Sequence, residues 1–471
     1  MRGLRSAGAW GLRVAAWGVL FVARVADAAE CTRPTDPGGS NGYDYGDAKV
    51  SSFGNELVRV WYVTEGESAV DPTSTRPDGV PDEVALSAQV TSDALDAYAT
   101  LGFRAPLADS LAPECGSNGG DDRLDVYLMA MNGSDGQTVA ESGRCISDSP
   151  AQCASFLIAK TRLALSYGSS EVGIRTVLPH ETFHAVQNAY DVELDRFWAE
   201  GTAQWAAEQL DPALTDLERN LPAFFQQAMR PLDAPVQGVT SAYLYGAAIW
   251  PVFLSERYDD DIVRLVLEQE GQAPASALVA TDVVLHTLQS SLAAELPLFS
   301  AWNAATGTRA GTGGYAAASD YPLVALTELP VAGTSAISSG FGSFFYHTQL
   351  TTPMRLSIST DTTRNAALFL PLEGGRARVD LVTPLPADVT DEGIVVVSGV
   401  TSKKTDAPFT LSFAAPPAPA TEAKDSGGCT LAAARRAPPA LSGWAATLFV
   451  LLAARRMRRR SPTIRSLARK K

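Results

Sequence analysis

The sequence predicts an α+β fold laid out in three successive parts, and three observations carry that reading. Up to about residue 169, short β-rich runs alternate with one long helical pattern, which marks a mixed α/β half. From 170 to about 298, apolar residues recur with periods nearer 3.6 than 2, which marks a helical half. Beyond Pro330, six short apolar runs are separated by Gly, Asp, Thr and Pro, the spacing of a small all-β sandwich. The first two parts read as one domain over 30–310, and the third as a module over 325–415.

The elements follow in order. Arg2 and Arg5 precede an apolar stretch that reaches Ala23, and Ala26-Asp27-Ala28 supplies small residues for a signal peptidase. Residues 1–29 therefore read as a signal peptide, too short and wrongly flanked to span a membrane. Strands are expected at 57–63 (LVRVWYV), 123–131 (RLDVYLMAM) and 154–161 (ASFLIAKT). A helix is expected at 81–102, with Pro at its start and Gly at its end. Another begins near Ser169. Further helices are expected at 202–210, 217–229, 244–258, 261–269 and 276–298, with Pro251 marking a kink or a helix start. The strands of the third part are SFFYHTQL, MRLSIST, AALFLPL, RVDLVTPL, GIVVVSG and FTLSFAA. A Pro/Ala-rich linker occupies 416–428. After it come Cys429, an apolar run from Ala437 to Ala454, and the arginine-rich RRMRRR. That order fits a C-terminal membrane anchor over 429–471 with its arginines on the cytoplasmic side.

Charge and cysteine content narrow the function classes. The two ends hold 15 of the 38 Lys/Arg and one of the 52 acids, so the remainder has 23 basic against 51 acidic groups, a net of −28. Such a surface repels nucleic acid, which is excluded as a partner. Cys31, Cys115, Cys145 and Cys153 form an even set, which in an exported chain points to two disulfides. Cys145 and Cys153 are near enough to close a hairpin, leaving Cys31 with Cys115, although three pairings are open. No CxxC or P-loop occurs in the body.

The chemistry concentrates in VLPHETFHAVQ (177–187). On a helix, residues four apart lie on one face, so His180 and His184 can converge on one ion. Zinc takes neutral imidazole nitrogens, and Glu181 stands where a general base would take a proton from water. Val177, Leu178, Phe183 and Val186 surround this polar triplet with apolar residues. Burying the triplet without a partner would be costly. A third ligand is required, and RFWAEGTAQW (196–205) offers Glu200, sixteen residues after His184, on a second helix that can return beside the first. Pro179, directly before His180, kinks the helix or starts a new turn.

Together these segments resemble the gluzincin clan of metallopeptidases, in particular its peptidase-MA-like branch. There a Leu-Pro-His-Glu-x-x-His helix precedes a Glu-Gly-x-Ala segment with a Trp shortly before it, as Trp198 stands before Glu200-Gly201-Thr202-Ala203 here. The likeness is strongest over 171–210 and continues more loosely through YLYGAAIWPVFLSERY. It implies a zincin-like catalytic domain with His180, His184 and Glu200 as Zn²⁺ ligands and Glu181 as catalytic base. Better-known gluzincins place the third ligand a few residues further on, within an Asn-Glu-x-x pattern absent here. Glu208 is therefore kept as the substitute ligand. An oxyanion-stabilising donor is also expected, with Tyr243 and Tyr245 as candidates. Gly427-Gly428-Cys429, the apolar run and the arginine cluster resemble the myxobacterial C-terminal sorting tail. That likeness implies processing near Cys429 by a sorting protease and display at the cell surface, against the alternative of a plain membrane anchor.

Asp71, Asp78, Asp82 and Glu83 collect oxygens around a glycine turn and make Ca²⁺ a second expected ion, although the same residues are ordinary turn chemistry. Asp121, Asp122 and Asp125 form a weaker version. His286 and His347 lie in apolar patterns and read as core or surface histidines. The expected function is that of an exported, surface-anchored zinc metallopeptidase acting on a protein or peptide held along an edge strand at 154–161. The alternatives are a non-catalytic surface binding protein with a vestigial site, and hydrolysis of a non-peptide substrate at the same centre.

Overall fold

Five strands form the first sheet: β1 (Ser51–Gly54), β2 (Val58–Tyr62), β3 (Leu124–Met129), β4 (Gly136–Asp148) and β5 (Ala151–Lys160). In this computed structural model, which describes residues 32–111, 121–211, 213–234, 241–273, 275–401 and 406–417, their order is β1-β2-β3-β5-β4. The strands β2, β3 and β5 run parallel, while β1 and β4 close the two edges antiparallel. Parallel strands are normally covered on both faces, and β3 is buried at every residue. On one face lie α1 (Asp82–Thr100), the short α2 (Ala164–Tyr167) and α3 (Ser170–Asn188). Val84 and Ala88 of α1 and Val177 and Leu178 of α3 share a core with Val60, Val126 and Leu157.

The segment before β1 covers the other face, packing Tyr45 with Tyr127, Met129 and Phe156. Arg33 enters this face completely buried. Its guanidinium reaches Asp109 at 2.7 Å, Asp125 at 2.9 Å and Glu141 at 2.7 Å, and lies 4.8 Å from the centre of the Phe156 ring. A buried cation is tolerated only when well paired, and here three carboxylates tie residue 33 to β3, to β4 and to the 3₁₀ turn at Asp109–Leu111.

One expectation about this sheet changes. The strand expected at 154–161 is β5, and it lies inside the sheet between β3 and β4 rather than at an edge. The edge is β4, whose polar sequence GQTVAESGRCISD has no apolar run to announce it. Cys145 and Cys153 are register partners across β4 and β5 and form a disulfide. Cys31, Cys115, the leader over 1–29 and the tail over 429–471 lie outside the described residues.

Seven helices follow: α4 (Arg196–Leu210), α5 (Asp216–Phe225), α6 (Ser241–Gly246), α7 (Ile249–Arg257), α8 (Asp261–Glu270), α9 (Ala277–Thr287) and α10 (Leu292–Ala304). The pattern over 244–258 becomes two helices, with Pro251 in the first turn of α7. Proline there has no N–H to offer the Ala247 carbonyl, so the helix restarts instead of continuing. The pattern over 276–298 also divides, into α9 and α10, bent by 103°. Gln289 adopts a positive φ, and Ser291 caps α10 by accepting from the Ala294 N–H.

Beyond the helices come β6 (Thr327–Glu328), β7 (Thr334–Ser338), β8 (Ser343–Gln349), β9 (Met354–Thr360), β10 (Asn365–Glu373), β11 (Arg376–Ala377), β12 (Thr383–Pro384), β13 (Ala387–Val389), β14 (Glu392–Gly399) and β15 (Ala407–Ala414). They build a six-stranded sheet, β11-β10-β14-β8-β6 with β12 on β10, and a four-stranded sheet, β13-β9-β15-β7. Phe369, Val395 and Val397 of the first sheet meet Leu356, Phe409 and Leu411 of the second in one core. RVDLVTPL does not form the expected strand. Arg378 pairs with Asp380 around a 3₁₀ turn at Val379–Leu381, and Pro384 and Pro386 have no N–H for a ladder.

The far face of the six-stranded sheet turns Phe345, Leu370, Ile394 and Val396 into the helical core. Ser300 of α10 bonds both Ser343 and Ser398 across this junction. That explains why Ile394 to Val397 are apolar without alternation: both faces of β14 are buried.

One buried acid gives a test of the helical core. Glu270, at the end of α8, is fully buried and neither of its oxygens has a hydrogen bond of normal geometry. Burial, reinforced by Asp195 and Asp191 and opposed by the Trp198 indole, pushes its pKa up to about 9. Between about pH 4.5 and 9 the folded protein therefore holds a proton that the unfolded chain has lost, so this group's contribution falls as pH rises. Glu270→Gln is expected to raise the melting temperature, by an increment that grows from pH 5 to pH 9. Thermal unfolding of the two proteins across that range checks it.

Candidate metal centre

The helix α3 begins where Ser169 accepts a hydrogen bond from the Val172 N–H, and it runs unbroken through Pro179. From Gly173 to Gln187 every residue is buried except Arg175 and His184, which are half-buried. Phe183 fills the apolar side, meeting Tyr98, Phe103 and Trp205 edge-on. The Tyr98 hydroxyl donates to the Pro179 carbonyl at 2.9 Å and ties α1 to the helix beside His180. The chain then turns, and α4 returns against α3. On its other side Gly201 lets α4 approach the link between α6 and α7: a Cβ there would lie 3.2 Å from the backbone of Ala247 and Ala248.

This packing brings together the three side chains singled out as ligands. His180 Nε2 lies 3.1 Å from His184 Nε2 and 3.2 Å from Glu200 Oε2, and His184 Nε2 lies 3.5 Å from the same oxygen. Among the described residues no other group of three or more such ligands converges. Four ligands at about 2.0–2.1 Å around a tetrahedral ion stand roughly 3.3 Å apart, so these three separations are those of three corners of that figure. The donor set, two imidazoles and a carboxylate, suits Zn²⁺, and the residues fit the ion.

Burial works against a charged His184, but Glu200 outweighs it and raises the imidazole pKa to about 9. Burial likewise works against a charged Glu200, and its hydrogen bonds to His180 and His184 outweigh that and hold it far below the usual carboxylate range.

Glu181 faces β4. Burial raises its pKa, opposed by His184, His180 and a hydrogen bond from the Thr138 hydroxyl to Oε2 at 2.9 Å. The same hydroxyl also contacts the Glu181 backbone carbonyl at 2.7 Å. Gly136 leaves room for this carboxylate, because a Cβ there would sit 2.7 Å from Glu181 Oε1.

The remaining candidates separate clearly. Tyr245 places its ring edge-to-face on His180, with centroids 5.4 Å apart, and burial pushes its phenol well above the ordinary value. Tyr243 packs on Phe224 and under Arg230, away from the histidines. Glu208 accepts from Gln204 and from the Leu217 N–H and is not in the converging group. Asp71, Asp78 and Asp82 accept from Thr73, Arg76 and Thr75 within their own loop. His286 is exposed on α9, and His347 lies on β8 between Glu328 and Glu392.

Sequence reasoning missed Thr138, Gly136 and Gln187. The first two lie on an unrecognised strand. Gln187 carried a signal, since position i+3 from His184 can reach its ring.

Removing one ligand at a time discriminates the two glutamates. His180→Ala, His184→Ala and Glu200→Ala are each expected to abolish stoichiometric zinc in the purified chain, whereas Glu208→Ala retains it, as read by elemental analysis. In comparisons with known proteins, no family model matches the chain and no curated protein matches it.

Proposed function

We propose that the chain is an exported, surface-anchored zinc metallopeptidase with a zincin-like catalytic domain. The observation that carries this reading is the spacing of His180 Nε2, His184 Nε2 and Glu200 Oε2, all within 4.8 Å of one another beside a buried carboxylate. Zn²⁺ held by these three residues would supply Lewis acidity toward a scissile carbonyl and would lower the pKa of a water to about 7.

The chain's own groups do the rest. Glu181 takes the proton from the attacking water and returns it to the leaving amine, and its burial keeps its basicity above that of a solvated glutamate. Thr138 fixes the direction of that carboxylate. Tyr245, kept protonated by burial, is the donor for negative charge developing on the carbonyl oxygen. Among the described residues β4 lies at the edge of its sheet and passes Glu181 at Thr138, and an extended peptide adds alongside it there. The disulfide between Cys145 and Cys153 agrees with an exported location.

The deciding comparison uses the full chain, zinc determination and a broad peptide library. Glu181→Gln is expected to keep its zinc and lose about 10²–10⁴-fold in hydrolysis. Gly136→Ala, which drives a Cβ into the Glu181 side chain, is expected to lower hydrolysis while zinc is retained. Full zinc without hydrolysis in the wild type would favour a binding protein. Activity unchanged by Glu181→Gln would remove the base from the scheme.

A further inference from the structure

Gln187 lies one turn beyond His184 and is almost fully buried. Its Oε1 is 2.7 Å from His184 Nδ1, while its Nε2 donates to the Ala199 carbonyl at 2.8 Å and to Thr202 Oγ1 at 2.7 Å. The Thr202 hydroxyl in turn donates to the Trp198 carbonyl at 2.7 Å. Each end of this chain on α4 is a backbone carbonyl, which can only accept. The direction of every hydrogen bond is therefore set. The Thr202 proton goes to Trp198, the amide protons of Gln187 go to Ala199 and Thr202, and Oε1 of Gln187 must face His184. An oxygen there accepts, so His184 Nδ1 keeps a proton in either charge state, and Nε2, 3.5 Å from Glu200 Oε2, is the nitrogen that gives up its proton to an ion.

We infer that Gln187 is the positioning residue of the metal centre: it selects the His184 tautomer that ligates through Nε2 and, through the same amide, holds the α4 turn carrying Glu200. The inference rests on the zinc reading above and goes beyond it. It assigns the orienting role to an amide and not to a carboxylate, because the position requires an acceptor on one side and two donors on the other. A glutamate there would supply the acceptor and lose both donors, setting a carboxylate against the Ala199 carbonyl. Gln187 thus joins the two ligand helices across the stretch that brings Glu200 back sixteen residues after His184.

The test uses the full chain with Zn²⁺ or Co²⁺ alone, so that no substrate is needed. Zinc affinity is measured by competition with a chelating dye, and unfolding is followed in metal-free buffer. Gln187→Ala is expected to bind zinc about 10–100-fold more weakly. Gln187→Glu is expected to lose a comparable factor although it is nearly isosteric. Thr202→Val, which keeps the Gln187 carbonyl in place, is expected to lose less and to fold. In the zinc-loaded wild type with ¹⁵N-histidine, His184 should show a proton on Nδ1 and a ligated Nε2, and the Co²⁺ visible spectrum should change in Gln187→Glu. Ligation through Nδ1, or Gln187→Glu binding zinc as tightly as wild type with an unchanged Co²⁺ spectrum, would overturn the inference while leaving the zinc site standing. A wild-type chain that binds neither ion removes the zinc reading and this inference with it.

Discussion

The helix α3 is enclosed on nearly every side, and the rest of the N-terminal architecture answers to that fact. It packs on β4 and β5, on α1 and α2, and on α4. A helix in that position should be apolar throughout, yet its middle carries His180, Glu181 and His184. Each polar atom there needs a partner from a neighbouring element, because an unpaired one costs free energy in a dry site. Thr138 comes from β4, Tyr98 from α1, and Glu200 and Thr202 from α4. The arrangement of elements is in this sense a list of suppliers to one helix.

The same constraint explains how much could be read in advance. The strands β2, β3 and β5, the helices α1, α3 and α4 and the three converging side chains were legible, because each leaves a local mark in apolar period or residue spacing. So was the hairpin disulfide, where eight residues separate two cysteines. What stayed hidden is defined by contacts across long distances in sequence. β4 is a polar edge strand and so has no apolar alternation, and Thr138 and Gly136 remained unassigned with it. Tyr243 and Tyr245 are equivalent as letters, and only the packing of α6 turns one onto His180 and the other into an aromatic core. The restart at Ile249 was announced by Pro251, whereas the break at 288–291 was not read within the pattern over 276–298.

The buried charges divide into two kinds. Arg33 is matched by three carboxylates, an arrangement whose purpose is local: it holds the chain against β3 and β4. Glu181 and Glu200 instead lie against imidazoles, groups that can give up protons and accept an ion. Both arrangements pair buried charge, but among the described residues only the second brings imidazole nitrogens and a carboxylate close enough to share one ion.

The six-stranded sheet has a consequence for how the molecule could have grown. A module added by simple fusion would keep its own core and leave a polar seam behind it. Here β14 contributes Val395 and Val397 to one core and Ile394 and Val396 to the other, so alternate residues of a single strand belong to different layers. A change of one residue in its register would exchange the two sets. The sandwich and the helices must therefore have been shaped together, each a template for the face of β14 it receives.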